Sequence, residues 1–341
     1  MHRNPDVPNG IVETLTVESR ALHGNPLGDP HTRRCDVYLP ANVDPRGLPL
    51  LIDLAGFFSS ALKHTGWSGL TENLPERFDR LISTHVMPPC VIAFPDCFTK
   101  LGGNQFIDSP GVGRYASFLI EDILPAIENK WGCGGPGKRG LFGRSSGGFG
   151  AVWHGCMHAD VWSAVSCHSG DMGFEWCYLT DMPNVLNTLA KYDRSIPAFL
   201  EAMPTKEKPT GREMHALMML AMAATYDPDP KWPTSIRLPV DIETCELIDA
   251  RWDRWLAFDP ARIAADHIDA LKSLKALYID CGSRDQYHMH YGARRLVRTL
   301  TANDVPHVYE EFDDDHNSLD YRYDVSLPIL VKALTDGKTD S

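Results

Sequence analysis

The chain has 341 residues, more than the roughly 250–300 at which one hydrophobic core stops growing, so one large domain carrying an insertion is expected. Hydrophobic residues make up 43% and charged residues 23%, which excludes global disorder. A net charge of −12 without any long Lys/Arg run disfavours a nucleic-acid partner, since phosphate backbones need a positive surface.

The opening MHRNPDVPNGIVETLTVESR holds no apolar stretch of secretory type, and no apolar run anywhere reaches the length of a membrane span. Residues 11–17 (IVETLTV) alternate apolar and polar, and 35–39 continue in the same manner, so the chain is expected to start as β structure. LPLLIDLAG follows the turn-rich NVDPRG as a short continuous apolar run, the pattern of a strand buried on both faces. CVIAFPD, residues 90–96, is a second such run. Residues 115–131 carry apolar side chains at helical spacing. KRGLFG (138–143) reads as a strand, 148–158 as a helix and AVSCHSG (164–170) as a strand. After a long interval come a strand at 276–282, a helix at 291–300, a strand at 307–312 and a closing helix at 325–334.

Strands alternating with helices imply an α/β fold: a mostly parallel sheet covered on both faces, with an antiparallel start. Residues 171–265 break that rhythm. They lack a convincing buried strand and are rich in Met and Trp, so they read as a mainly helical insertion or lid between a core formed by 1–170 and 266–341. The Met stripe (Met214, Met218, Met219, Met222) suits helix core, and it also suits a ligand-facing wall if the insertion covers the site.

The nine cysteines are odd in number and scattered, without any C-x-x-C, so neither a disulfide framework nor a zinc knuckle is expected, and a reducing cytoplasm fits.

GLFGRSSGGFG (140–150) contains G-x-S-x-G as Gly143, Arg144, Ser145, Ser146 and Gly147, placed between a predicted strand and a predicted helix. That context makes Ser145 the candidate nucleophile, projected from a sharp turn at a helix N-terminus. Ser146 then supplies an oxyanion-binding N–H, and Phe57, after Gly56 in the loop following LPLLIDLAG, is the candidate for the second. A serine needs a base and an oriented one, in the chain order Ser, acid, His. YIDCGSRDQYH offers Asp285 just past its strand, ahead of Asp280 within it. YEEFDDDHNSLDYR offers His316 after the last strand, beside Asp313, Asp314 and Asp315. Phe58, Arg144 and His288 are candidate substrate-binding residues, with Arg144 alternatively pairing with an acid of the insertion such as Glu175. His288 and His290, or His154 and His158, could suggest a metal, but zinc-type spacing with a Glu neighbour does not accompany them, so neither metal nor cofactor is expected.

With LIDLAGFF, PDCFTKLGGNQFIDSPGVGRYASFLIEDILPAIENKWG, GRSSGGFGA, CGSRDQYHMHYGARRL and DDDHNSLDYR, the chain resembles the esterase D and feruloyl-esterase-like branch of the α/β-hydrolases, which includes enterochelin esterases and mycolyltransferases. The resemblance implies Ser145, Asp285 and His316 as a triad acting on a small-molecule carboxylic ester. It departs from the family pattern at Arg144, where many members carry His, and at LAGFF, where many carry a His-Gly pair. An acyltransferase using the same residues and a catalytically silent binding protein of this fold are the competing readings. A homo-oligomer is compatible with the composition.

Overall fold

In a computed structural model, which describes residues 7–232 and 234–336, eight strands form one sheet. They are β1 (Ile11–Glu18), β2 (Thr32–Leu39), β3 (Leu50–Leu54), β4 (Val91–Pro95), β5 (Arg139–Arg144), β6 (Ala164–His168), β7 (Ala276–Gly282) and β8 (Val308–Phe312). Their spatial order is β1-β2-β4-β3-β5-β6-β7-β8. β1 runs antiparallel to β2, and β2 antiparallel to β4, while all remaining pairs are parallel. The continuous apolar runs became the strands buried at every residue, β3, β4 and β6. The alternating β1 and the charged β8 form the two edges, where one side faces water.

Helices cover both faces. α1 (Leu74–Ser83) starts at a capping box in which Asn73 and Glu76 satisfy each other's backbone N–H groups. α2 spans 115–131 and contains a π-helical stretch at Phe118–Ile123, next to Pro125, which lacks the N–H a regular turn would use. α3 (Ser146–Met157) begins two residues earlier than the periodicity predicts, because β5 feeds straight into it. β6 stops at His168 and not at Gly170, since Ser169 takes a positive φ of 43° and its N–H turns to the Asp280 carbonyl.

The stretch between β6 and β7 is built of helices, chiefly α4 (Met182–Leu189), α5 (Gly211–Tyr226) and α6 (Asp249–Leu256). Met218, Met219 and Met222 of α5 are buried, as are Trp252 and Trp255, whereas Trp232 is exposed. These side chains share one continuous apolar core with the sheet, through α3 and α7 (Met289–Ala302). α8 (Tyr323–Thr335) closes the opposite face with Leu327, Leu330 and Val331 against Phe142 and Tyr278. All nine cysteines are free thiols, eight of them buried and Cys245 partly exposed. Among the described residues, no helix is long and apolar enough to cross a membrane.

Candidate active site

The parallel strands point their C-terminal ends at one side of the sheet, where ligands bind in open α/β folds. β5 ends at Arg144, and Ser145 takes φ 57° and ψ −123° before α3 begins. A non-glycine residue there is strained by roughly 1–3 kcal/mol, and the turn holds it because the surroundings leave no alternative. The flanking glycines show why. A Cβ at Gly147 would lie 1.7 Å from the Leu54 carbonyl oxygen, and one at Gly143 would lie 2.5 Å from the same atom. β3 thus presses on both arms of the elbow and tolerates no side chain on either.

Ser145 lines a cavity of about 320 Å³ together with Phe57, Tyr178, Tyr287, Met289 and His316. His316 comes from the loop after β8 and is mostly buried. Its Nδ1 lies 2.6 Å from Asp285 Oδ2, and its backbone N–H donates to Gln286 Oε1 at 3.0 Å. Asp285 is itself held by the Tyr287 N–H, which donates to Oδ1 at 2.9 Å. The three aspartates beside His316 turn elsewhere. Asp313 pairs with Arg284, Asp314 accepts from the Tyr321 hydroxyl, and Asp315 accepts from the Asn317 N–H.

Gly56 brings the loop after β3 against the elbow, since a Cβ there would meet the Arg144 carbonyl at 3.3 Å and Ser145 Cβ at 3.5 Å. Phe57 is buried beside it, and its ring stacks edge-on against the half-exposed Phe58. Ser146 opens α3, so its N–H is among those a helix leaves without an internal partner.

Phe58 and Arg144 also line the cavity. Arg144 lies 3.6 Å from Asp320, while Glu175 pairs with Arg262 and Arg295, so the alternative pairing of Arg144 with Glu175 is not formed. His288 is not among the lining residues. It takes a left-handed φ of 62° at the start of α7, and its ring packs near His290 and Tyr291. Its neighbours Tyr287 and Met289 face the cavity instead.

Sequence reasoning missed Asp171, Tyr178 and Gln105. The Ser145 hydroxyl donates to Asp171 Oδ1 at 3.2 Å. Asp171 is buried, and Tyr178, Ser146 and Gln105 all donate to its Oδ2. Its position just past the C-terminal end of β6 was the available signal.

His154 and His158 do not form a ligand pair. His154 Nε2 meets the Phe106 carbonyl and its Nδ1 accepts from Trp162, with burial depressing its basicity to about 3. Among the described residues, no group of three His, Cys, Asp or Glu side chains converges to hold a metal ion.

A mostly parallel sheet with a strained serine between strand and helix, facing a loop histidine paired with an acid, defines an α/β-hydrolase architecture. Residues 30–326 match the family described as putative esterase, and the chain belongs to that family: it is a carboxylic ester hydrolase. Solved structures similar to it include a ferulic acid esterase, at 19% identity and TM-score 0.61, covering 95% of this chain and 99% of that one. A fluorophosphonate-binding serine hydrolase of Staphylococcus aureus matches at 13% identity and TM-score 0.57, covering 96% and 100%. An S-formylglutathione hydrolase from Agrobacterium tumefaciens matches at 13% identity and TM-score 0.55, covering 98% and 99%. No curated protein matches the chain.

Proposed function

We propose that ester cleavage proceeds by two-step acyl transfer on Ser145, with His316 as general base and acid and Asp285 as the residue that orients it. The observation that carries this reading is the strained Ser145 opening α3 into the same cavity as His316, whose Nδ1 is held 2.6 Å from buried Asp285. Ser145 Oγ attacks the ester carbonyl carbon and its proton passes to His316 Nε2. The oxyanion is received by the N–H groups of Phe57 and Ser146, each such donor contributing roughly 3 kcal/mol in enzymes of this kind. The proton then leaves with the alcohol, and water repeats the sequence to release the acid.

The wall formed by Phe57, Phe58, Tyr178, Met218, Tyr287 and Met289 suits an apolar or aromatic acyl group, the class to which the ferulic acid named for one structural neighbour belongs. Residues 171–265 act as a lid on a core of 1–170 and 266–341; Tyr178 and Met218 of that segment reach the cavity, and His215 stacks on Tyr287. Nine free thiols support a reducing, cytoplasmic setting, and the net charge of −12 supports a small-molecule substrate with no nucleic-acid or membrane partner.

The test is hydrolysis of p-nitrophenyl acetate and butyrate by wild type and Ser145→Ala, with folding matched by circular dichroism. Activity lost in the variant supports the assignment; equal activity in both removes it.

A further inference from the structure

The serine hydroxyl touches a group that the Ser, His and Asp reading does not use. After β6, Ser169 and Gly170 turn the chain so that the Asp171 N–H donates to the Ser145 carbonyl at 3.3 Å. The side chain then faces the same residue: Oδ1 accepts from Ser145 Oγ at 3.2 Å. Oδ2 is saturated, accepting from the Tyr178 hydroxyl at 2.7 Å, Ser146 Oγ at 3.0 Å and Gln105 Nε2 at 3.4 Å. Asp171 is 2% exposed and lines the cavity with His316.

A carboxylate in this position is costly. Burial pushes the Asp171 carboxyl up from its ordinary value, against the pull of Tyr178, His316, Ser146 and Gln105. Both carboxylate oxygens are used as acceptors in fixing Tyr178, Gln105 and the elbow. The reaction gives the negative charge a second use: attack by Ser145 creates a cation on His316 across the cavity.

We propose that Asp171 is a second carboxylate of the reaction centre, which holds the Ser145 hydroxyl before attack and balances the His316 imidazolium once the proton has moved. This rests on the assignment of Ser145 and His316 given above. In the free enzyme the Oγ–H bond points to Asp171 Oδ1. When ester occupies the cavity, the hydroxyl swings to His316, Oγ bonds to the carbonyl carbon, the proton goes to Nε2 and the carbonyl π pair becomes the oxyanion. The imidazolium then lies between Asp285 on its Nδ1 side and Asp171 on the nucleophile side. The proton next leaves on the departing alkoxide and the charge pattern resets. The other charged or titratable groups around this space are Lys63 and Arg144 on the cavity wall, Tyr287 against the His316 ring, and Tyr178 and Cys177 from the segment after β6. Asp285 and Asp171 are the carboxylates among the lining and hydrogen-bonded groups.

The test measures kcat/KM for p-nitrophenyl butyrate from about pH 4.5 to about pH 9 in wild type, Asp171→Asn and Asp171→Ser, with fluorophosphonate labelling mapped by peptide mass spectrometry. The expected result is a label on Ser145 in all three proteins. Both neutral variants should show an acid limb moved down by on the order of one pH unit, with an optimum lowered about tenfold. If one variant does not fold, the other decides. An acid limb unmoved in the folded variant, with Ser145 still labelled, overturns the proposal while leaving the Ser145 assignment standing. A wild-type label on another residue overturns the assignment itself, and the proposal with it.

Discussion

Ser145 and His316 line a cavity, with Asp285 behind His316, whereas a second Ser, His and Asp set, built around the neighbouring strands β6 and β7, lies buried. In the second, His168 at the end of β6 has Nδ1 2.8 Å from Asp280 Oδ1 in β7 and Nε2 2.8 Å from Ser326 Oγ in α8. The Tyr278 hydroxyl and Arg322 donate to Asp280 Oδ2, and Arg322 also binds Glu310. Its three members are each at most 1% exposed. The His–Asp pairing matches that of His316 and Asp285, but here the serine bonds to the histidine, whereas the Ser145 hydroxyl donates to Asp171, and Ser326 sits inside a helix with its hydroxyl closed off from solvent. The set ties α8 to the sheet. Side-chain identities are thus shared; what sets Ser145 apart from Ser326 is a strained backbone, a place at a helix N-terminus and access to a cavity.

That contrast is broken or sharpened by paired substitutions. The largest effect is expected at the serines: Ser145→Ala should lower kcat for a p-nitrophenyl ester by on the order of 10⁴-fold or more with little change in melting temperature. Ser326→Ala should keep kcat within about twofold and cost about 1 kcal/mol in urea unfolding, because it strands the His168 nitrogen. Equal kinetic losses in both would erase the distinction. Among the acids, Asp285→Asn should lower kcat by about 10⁴-fold, through the wrong imidazole tautomer. Asp280→Asn should instead lose about 3–5 kcal/mol of stability, measured by denaturant titration, since it leaves Arg322 and His168 without their buried partner.

A smaller effect concerns Asp171 and has a defined sign. Its folded-state carboxyl is raised above the ordinary value of 3.8, so the folded protein holds that proton more tightly than the unfolded chain does. The stability this contributes is present below 3.8 and is lost as pH rises through the raised value. Asp171→Asn removes that titration, so the fall in its melting temperature from acid to pH 7 should be smaller than in wild type, read from melts across pH. A lower melting temperature at pH 7 would mark the carboxylate as a net stabiliser. The smallest effect is expected from Arg144→Ala, a rise in KM of less than about tenfold with kcat kept, read from steady-state kinetics.

The sequence made the sheet legible where a strand is buried on both faces, because β3, β4 and β6 needed continuous apolar runs. It made the elbow at Ser145 and the candidate pair Asp285 and His316 legible because the elbow and the positions just past the last two strands are local patterns. The exchange of β3 and β4 in the sheet order has no local signature, since it is decided by how crossovers pack. α1 lies in a stretch to which the periodicity assigns no element, although its capping box at Asn73 and Glu76 was written there. His288 was one position off: the left-handed turn at its own residue sends Tyr287 and Met289 to the cavity and His288 away from it. Asp171 escaped because a lone acid at the start of a stretch read as an insertion meets Gln105, Ser145 and Tyr178 only after the chain has folded.

The thiols described with the fold give the chain a position-resolved stopwatch. Alkylating reagents attack the thiolate, and burial pushes the thiols of Cys133 and Cys156 up to about 12, with Cys35, Cys90, Cys167, Cys177 and Cys281 also raised. The native molecule therefore offers Cys245 at once, and each of the others on the schedule of its own segment's opening. Cys177 times the segment after β6, Cys156 the helix behind the elbow, and Cys35 and Cys281 the sheet on either side of it, so the sequence of labelling is a record of which parts of the protein come apart before others.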